Sequence, residues 1–396
     1  MNKIAIVVQR CHPSVIGGSE SLAWQYANLL KDDFEVEILT TTAVDYISWD
    51  NELTEGLEIT DGIKIYRFSV SLGRSSYWHE LHQILIESFK RDENVHSNNA
   101  FSIPWSLALQ EEFVRHQGPY SKDMIQFIRN NWREYVTVIF ITYLYPTTYF
   151  GQEQISKSNF ILVPTLHDEV PAYLSAYRYM AKKARNIIWL TEAEKDLSNN
   201  LWGELSGQII GMSVNTQMYT PAKVDYPYIL YSGRIDECKG CEDLFEIFRR
   251  FKQENPSGLR FILTGKSHMQ IPSDPDIEYR GFVSNKEKFE LMAGAAVFVM
   301  PSVFESFSIA TLEAMAQETP VMVNGACSVL VNHVKSSNGG TIFSDYDTFS
   351  HGLEEILNNT QTSEKMGMAG RSYVLSNYDY NVVRQNLVNL VKQSLN

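Results

Sequence analysis

The sequence predicts an α/β protein built from two doubly wound domains. Three observations carry this: a length of 396 residues, a strand–helix alternation that runs twice along the chain, and an irregular stretch between the two runs near residues 212–226. A chain of this length exceeds one ordinary core, and its 44 % hydrophobic content fits a globular protein.

The first run opens with the apolar strand Ile4–Val8. A helix near Ser19–Leu30 follows, because Leu22, Ala23, Tyr26, Leu29 and Leu30 recur on one helical face. Val36–Leu39 is the next strand, and this spacing predicts a parallel βαβ unit. Further strands are expected at Ile63–Phe68, Val136–Ile141, Phe160–Val163, Ile187–Leu190 and Gln208–Gly211. The polar, aromatic-containing stretch from Tyr77 to Tyr135 reads as helices, including Met124–Trp132, and loops around the first sheet. His79 and His82 stand three apart, whereas the metalloprotease helix needs two histidines four apart, so they read as a surface helix.

Asn215, Pro221 and Pro227 interrupt the pattern before the second run begins with strand Tyr228–Ser232. Helix Glu242–Phe251, strand Arg260–Leu263, helix Asn285–Ala293 and strand Ala296–Met300 follow, then a helix starting near Phe307. Strands Val321–Val323 and Thr341–Phe343 come next, with helices near Thr348–Leu357, Ser363–Ser376 and Asn381–Ser394. Alternation in both halves predicts that strand C-termini face a shared crevice, the usual ligand position in open α/β sheets.

A formal net charge of -13 argues against broad nucleic-acid binding, which needs basic surface, and gives no help to docking on an anionic membrane. No apolar run approaches the ~18–20 residues of a membrane span, and Lys3–Gln9 lacks a signal peptide's long apolar stretch. Four scattered cysteines suggest a reducing cytoplasm, and Cys238 and Cys241 read as two ordinary thiols without a matching second pair for zinc.

The segment Pro301–Asn324 carries the most chemistry. It reads as strand end, turn, helix and strand, with Ser306 and Ser308 as helix-starting residues and Pro320 as the stop. Backbone N–H groups at Ser306, Phe307, Ser308 and Ile309 form an anion mount at the helix N-terminus. Glu305 precedes the helix and Glu313 lies within it, a phosphate mount flanked by two hydroxyl-binding carboxylates, which suits a nucleotide sugar. After strand Tyr228–Ser232, Gly233 allows a tight turn while Arg234 and Lys239 place two cations where they neutralise a departing diphosphate. Gly265 and Lys266 end a nearby strand and are candidates for the phosphates or base. Gly17 and Gly18 open the first helix, and Tyr143 and Tyr145 follow a strand as aromatic faces for an acceptor sugar. Asp274-Pro275-Asp276 reads as a polar turn, not a metal site; with Arg234 and Lys239 supplying positive charge, neither a metal nor a cofactor is expected.

The Pro301–Asn324 segment resembles the signature of the retaining nucleotide-sugar glycosyltransferases of family 4. Members commonly have Gly where this chain has Ser306 and Ser308. The resemblance implies a GT-B fold of two Rossmann-like domains: residues 1–215 on the acceptor side, with the helix of residues 377–396 crossing back onto it, and residues 216–376 binding the donor. It implies that Arg234 and Lys239 clamp the diphosphate, that Glu313 holds the ribose, and that Glu305 and His167 orient the donor sugar. Gly17 and Gly18 match the family's N-terminal glycine loop, and the stretch holding Arg280, Phe282 and Val283 matches its nucleobase border. The implied activity is transfer of a hexose from an NDP-sugar, with UDP favoured, to a hydroxyl of a saccharide or glycolipid. Polysaccharide or glycoconjugate assembly in the cytoplasm, with contact at the membrane's cytoplasmic face, is the implied setting. A sugar-nucleotide epimerase of the same fold and a non-catalytic nucleotide-sugar-binding protein are the alternatives. Oligomeric state stays open.

Overall fold

The computed structural model describes residues 1–12, 17–91, 103–156 and 159–394. It divides into two compact units: Met1–Met212 with Arg384–Asn396, and Ser213–Val383.

In the first unit, β1 (Lys3–Val7), β2 (Glu35–Thr41), β4 (Ile63–Phe68), β5 (Thr137–Ile141), β6 (Phe160–Val163), β7 (Asn186–Trp189) and β8 (Gly207–Ile209) form a parallel sheet. An added edge strand, β3 (Gly56–Thr60), pairs antiparallel with β4, giving the order β3-β4-β2-β1-β5-β6-β7-β8. Central strands are buried on both faces: Ile4 through Val7 are wholly inaccessible, which is why they read as an unbroken apolar run. The helices are α1 (Gly18–Leu30), α2 (Ser76–Arg91), α3 (Leu107–Gln117), α4 (Lys122–Asn131), α5 (Pro146–Gln152), α6 (Ser175–Lys183) and α7 (Glu192–Trp202).

The second unit has an all-parallel sheet in the order β11-β10-β9-β12-β13-β14. Its strands are β9 (Tyr228–Ser232), β10 (Arg260–Thr264), β11 (Ile277–Tyr279), β12 (Val297–Met300), β13 (Val321–Asn324) and β14 (Gly340–Phe343). The helices are α8 (Cys241–Glu254), α9 (Asn285–Gly294), α10 (Ile309–Ala316), α11 (Ser328–Ser337), α12 (Tyr346–Asn358) and α13 (Thr360–Tyr378). The last helix, α14 (Tyr380–Gln393), leaves the second unit and joins the first from Arg384 onward, burying Leu387, Val388, Leu390 and Val391. There Lys392 Nζ donates to Asp33 at 3.0 Å and Arg384 pairs with the same carboxylate. Among the described residues no helix is long and apolar enough to cross a membrane.

Each sheet reverses its winding direction at one place. In the first unit β1 lies between β2 and β5; in the second, β9 lies between β10 and β12. The loops leaving adjacent strands diverge there, which opens a crevice beside the strand C-termini.

Candidate donor site in the second unit

The loops after β9 and β12 flank the second unit's switch point, so topology alone brings residues 233–240 beside residues 301–308. They touch closely: Gly240 has φ +71, and a Cβ on it would lie 2.6 Å from the Pro301 carbonyl oxygen. Asn324, at the end of β13, donates to that same oxygen at 2.9 Å. Asp236 caps the short turn of residues 237–239 by accepting the Lys239 N–H at 2.9 Å, which fixes where Lys239 leaves the backbone.

Lys239 Nζ donates to Glu305 Oε1 at 2.7 Å, so the two residues assigned to diphosphate and sugar meet as an ion pair. Arg234 is exposed and pairs with Asp236. Gly233 donates its N–H to the Thr264 carbonyl at 3.0 Å, and Gly265 donates to the Gly281 carbonyl at 2.8 Å. Gly265 has φ +126, and a Cβ there would fall 1.8 Å from the Gly233 carbonyl oxygen. The exits of β9, β10 and β11 are thus laced together, bringing Lys266, Arg280, Phe282 and Val283 to the same end of the sheet. Lys266 is exposed, Val283 half-buried, and the Phe282 ring 77 % exposed. Arg280 pairs with Glu278 at 2.7 Å.

The helix after β12 begins at Ile309, later than the start near Phe307 that the two serines suggest. Ser308 is its N-cap residue with φ 58 and ψ 62, in the left-handed region, and its hydroxyl bonds Thr311 Oγ1 at 2.9 Å without capping a backbone N–H. A left-handed turn cannot continue a right-handed helix, so the helix starts one residue beyond it. Ser306 is half-buried and Phe307 buried. Glu313, on the second turn of α10, is buried; both its oxygens accept from Lys288 Nζ at 2.8 Å. Burial pushes its carboxyl above the ordinary value, and Lys288 partly opposes that shift. Lys288, on α9, was not legible as a site residue: a lysine on a polar helix face carries no mark of a buried carboxylate one helix away. Asp274 and Asp276 are held by Arg249 and Lys252 at 3.1 and 3.3 Å, as befits a polar turn.

In the first unit, Gly17 precedes α1 and Gly18 opens it; a Cβ on Gly17 would lie 2.0 Å from Glu20 Oε2. That carboxylate accepts from Arg10 Nε at 2.5 Å and Gln9 Nε2 at 3.3 Å. His167 is half-buried on the loop leaving β6, and its carbonyl accepts the Glu169 N–H at 2.9 Å. Glu194 anchors this loop. It is buried, accepts the Leu166 N–H at 2.7 Å and the Leu190 N–H at 2.6 Å, and burial lifts its carboxyl to about 7. The Thr191-x-x-Glu194 spacing is a capping-box signal from which this residue was readable. Tyr143 needs correction as an acceptor platform. Its ring is 1 % exposed, packed edge-on against Tyr177 and Trp202, and its hydroxyl donates to Glu169 at 2.7 Å, so it presents no face to a sugar. Tyr145 is half-buried against Trp49.

Residues 219–373 match the family model described as Glycosyl transferases group 1. An uncharacterized glycosyltransferase of Methanocaldococcus jannaschii is 27 % identical over 180 residues, 42 % of this chain and 45 % of that protein. The chain spans about half the length of the curated relatives it matches. Among solved structures, sucrose-phosphate synthase from Thermosynechococcus elongatus superposes with a TM-score of 0.70 at 16 % identity, covering 99 % of each chain. Anabaena HepE, in complex with UDP and glucose, superposes with a TM-score of 0.66 at 13 % identity, covering 99 % of this chain and 100 % of that one. The chain therefore has the GT-B fold, and residues 219–373 of its second unit are similar to the glycosyl transferases group 1 family.

Proposed function

We propose that this chain is a retaining hexosyltransferase that moves a sugar from a UDP-sugar to a hydroxyl of a saccharide or glycolipid acceptor. The observation that carries this reading is the cluster at the second unit's switch point, within the residues similar to the glycosyl transferases group 1 family. There Arg234, the Lys239–Glu305 pair and the start of α10 stand at the exits of two adjacent strands. HepE, of the same fold, binds UDP and glucose, which supports UDP as the nucleotide.

Arg234 and Lys239 each rest against a carboxylate in this structure. A diphosphate of higher charge would take over both cations, and Lys239 leaving Glu305 would free that carboxylate for a sugar hydroxyl. The α10 N–H groups add fixed dipoles where negative charge grows on the leaving phosphate. Glu313 would turn from Lys288 to the ribose. No nucleophilic side chain is assigned; the acceptor attacks from the face the diphosphate leaves, and the departing phosphate takes the acceptor's proton. The two cations supply the charge that a divalent ion supplies elsewhere, so transfer should run in excess chelator. Acceptor recognition falls to the first unit, through Gly17, Gly18, His167 and Tyr145, and the setting is polysaccharide or glycoconjugate assembly on the cytoplasmic side.

Thermal shift against nucleoside diphosphates and their sugars, followed by a transfer assay with the best donor, tests the reading. UDP at a hundred times its dissociation constant should stabilise the fold by about 2.7 kcal/mol. Lys239→Ala should lower kcat/KM about 100-fold, as loss of a charged contact to the transition state does. Isomerisation of donor without acceptor would reassign the chain as an epimerase, and absence of any nucleotide-induced shift would remove the donor site altogether.

A further inference from the structure

Beneath the loop that leads into α10 lies a polar chain, running from the half-buried Tyr373 to the buried His333, that the proposed chemistry does not use. His333, on α11, is wholly inaccessible. Its Nε2 lies 2.9 Å from the Phe307 carbonyl oxygen and its Nδ1 3.1 Å from the Tyr373 hydroxyl. Tyr373 and Tyr378, both on α13, have their hydroxyls 3.1 Å apart. The rings of His333, Phe307 and Tyr378 pack edge to face around this chain.

The proton positions follow from donor chemistry. A carbonyl oxygen only accepts, so Nε2 carries the hydrogen and donates to Phe307. A neutral imidazole has one N–H, so Nδ1 accepts from the Tyr373 hydroxyl, which in turn accepts from Tyr378. Burial keeps the ring neutral by pushing its pKa down to about 4. The three hydroxyl and ring hydrogens therefore run in one direction and end on a single backbone oxygen.

That oxygen decides the direction of the next N–H. In a planar trans peptide the carbonyl and the following N–H point oppositely. With the Phe307 oxygen turned down onto His333, the Ser308 N–H is turned away from the core. Among the described residues it donates to no backbone or side-chain acceptor. Ser308 holds a left-handed φ of 58 that costs a non-glycine residue about 1–2 kcal/mol. A strained backbone held in place and a buried carbonyl clamped from below act on the same peptide group.

We propose that His333 is a positioning residue of the donor site: by gripping the Phe307 carbonyl it aims the Ser308 N–H at the phosphate of the bound nucleoside diphosphate. The inference rests on the donor-site reading above and names a residue outside the signature segment as the one that orients it. A core histidine with satisfied hydrogen bonds is the plainer alternative, and it predicts a loss of stability that falls on all ligands alike.

The experiment is calorimetric titration of UDP and of uridine into wild type, His333→Leu, His333→Gln and Tyr373→Phe. In His333→Leu, UDP affinity should fall about tenfold, the value of one hydrogen bond to a charged group, while uridine affinity stays within about twofold. His333→Gln, whose amide N–H reaches a similar position, should recover UDP binding to within about threefold of wild type. Tyr373→Phe, which leaves the tautomer free, should weaken UDP about threefold with uridine unchanged, and it decides the matter if His333→Leu does not fold. Equal losses for UDP and uridine, or no loss for UDP, overturn the inference while wild type still binds UDP. Wild type that binds neither ligand overturns the donor-site reading and this inference with it.

Discussion

At Gly265 a single hydrogen in place of a side chain holds three strand exits together. The φ of +126 is open only to glycine, and a Cβ would collide with the Gly233 carbonyl, a backbone atom that cannot step aside. Gly265→Ala is therefore expected to cost about 2–4 kcal/mol in urea unfolding and to abolish the UDP-induced thermal shift. An alanine variant with wild-type stability would show that this junction tolerates rearrangement. Ser308 is the contrasting residue. It occupies a left-handed turn without being glycine, and the peptide group before it is held from outside the turn by the His333 bond to the Phe307 carbonyl. The sequence identifies both positions as unusual. It does not state which backbone angle each one requires, because that depends on the chain segments packed beside it.

Between elements, the α9–α10 contact carries a charge balance. Lys288 Nζ stands 2.8 Å from both Glu313 oxygens, with only 11 % of the Glu313 side chain accessible. Lys288→Met leaves that carboxylate buried without a cation, and should destabilise the fold by about 2–3 kcal/mol at pH 7, less at pH 5 as Glu313 takes up a proton. Urea titration at the two pH values measures this, and equal losses at both would mean that Glu313 has another partner. Elements themselves were largely legible. Strands such as Phe160–Val163 and Tyr228–Ser232 fall where continuous apolar runs end in turn residues, since a strand buried on both faces leaves no other pattern. β3 leaves no signal in the sequence because it is an exposed edge with Leu57 and Ile59 open to solvent, so no core-facing periodicity marks it. α11 is not legible in the sequence because Cys327 precedes it without a side-chain cap, and its polar residues conceal the buried His333. Lys288 and His333 are illegible in the sequence for one reason: each has its partner on another element, and periodicity within a segment says nothing about it.

Across the whole molecule, one buried group in each unit makes stability depend on pH, and the two dependences run in opposite senses. Glu194, in the first unit, has its carboxyl lifted to about 7 by burial. Among the described residues its oxygens accept from backbone N–H groups at the β6 and β7 exits, and no cation pairs with them. Since the folded form holds the proton more tightly, its contribution to stability is full below the ordinary carboxylate range and is lost as pH rises through about 7. His333, in the second unit, does the reverse: it is neutral when folded, and stability falls as pH drops from about 6.5 toward 4. Glu194→Gln should therefore remove a decline of roughly 2–3 kcal/mol in first-unit stability between pH 5 and pH 7.5. Denaturant melts of both proteins at the two pH values measure it, and parallel pH profiles for the two would assign the decline to other groups.

The return of α14 has a consequence for synthesis. Residues 384–394 complete a body whose other residues end at Met212, so the earlier unit lacks one of its covering helices until 171 later residues have emerged. Those later residues need not wait: the segments entering and leaving their unit are tied by a bond from the Val214 N–H to the Tyr378 carbonyl at 2.8 Å. The helix that closes the half made earliest is thus synthesised only after every residue of the second half.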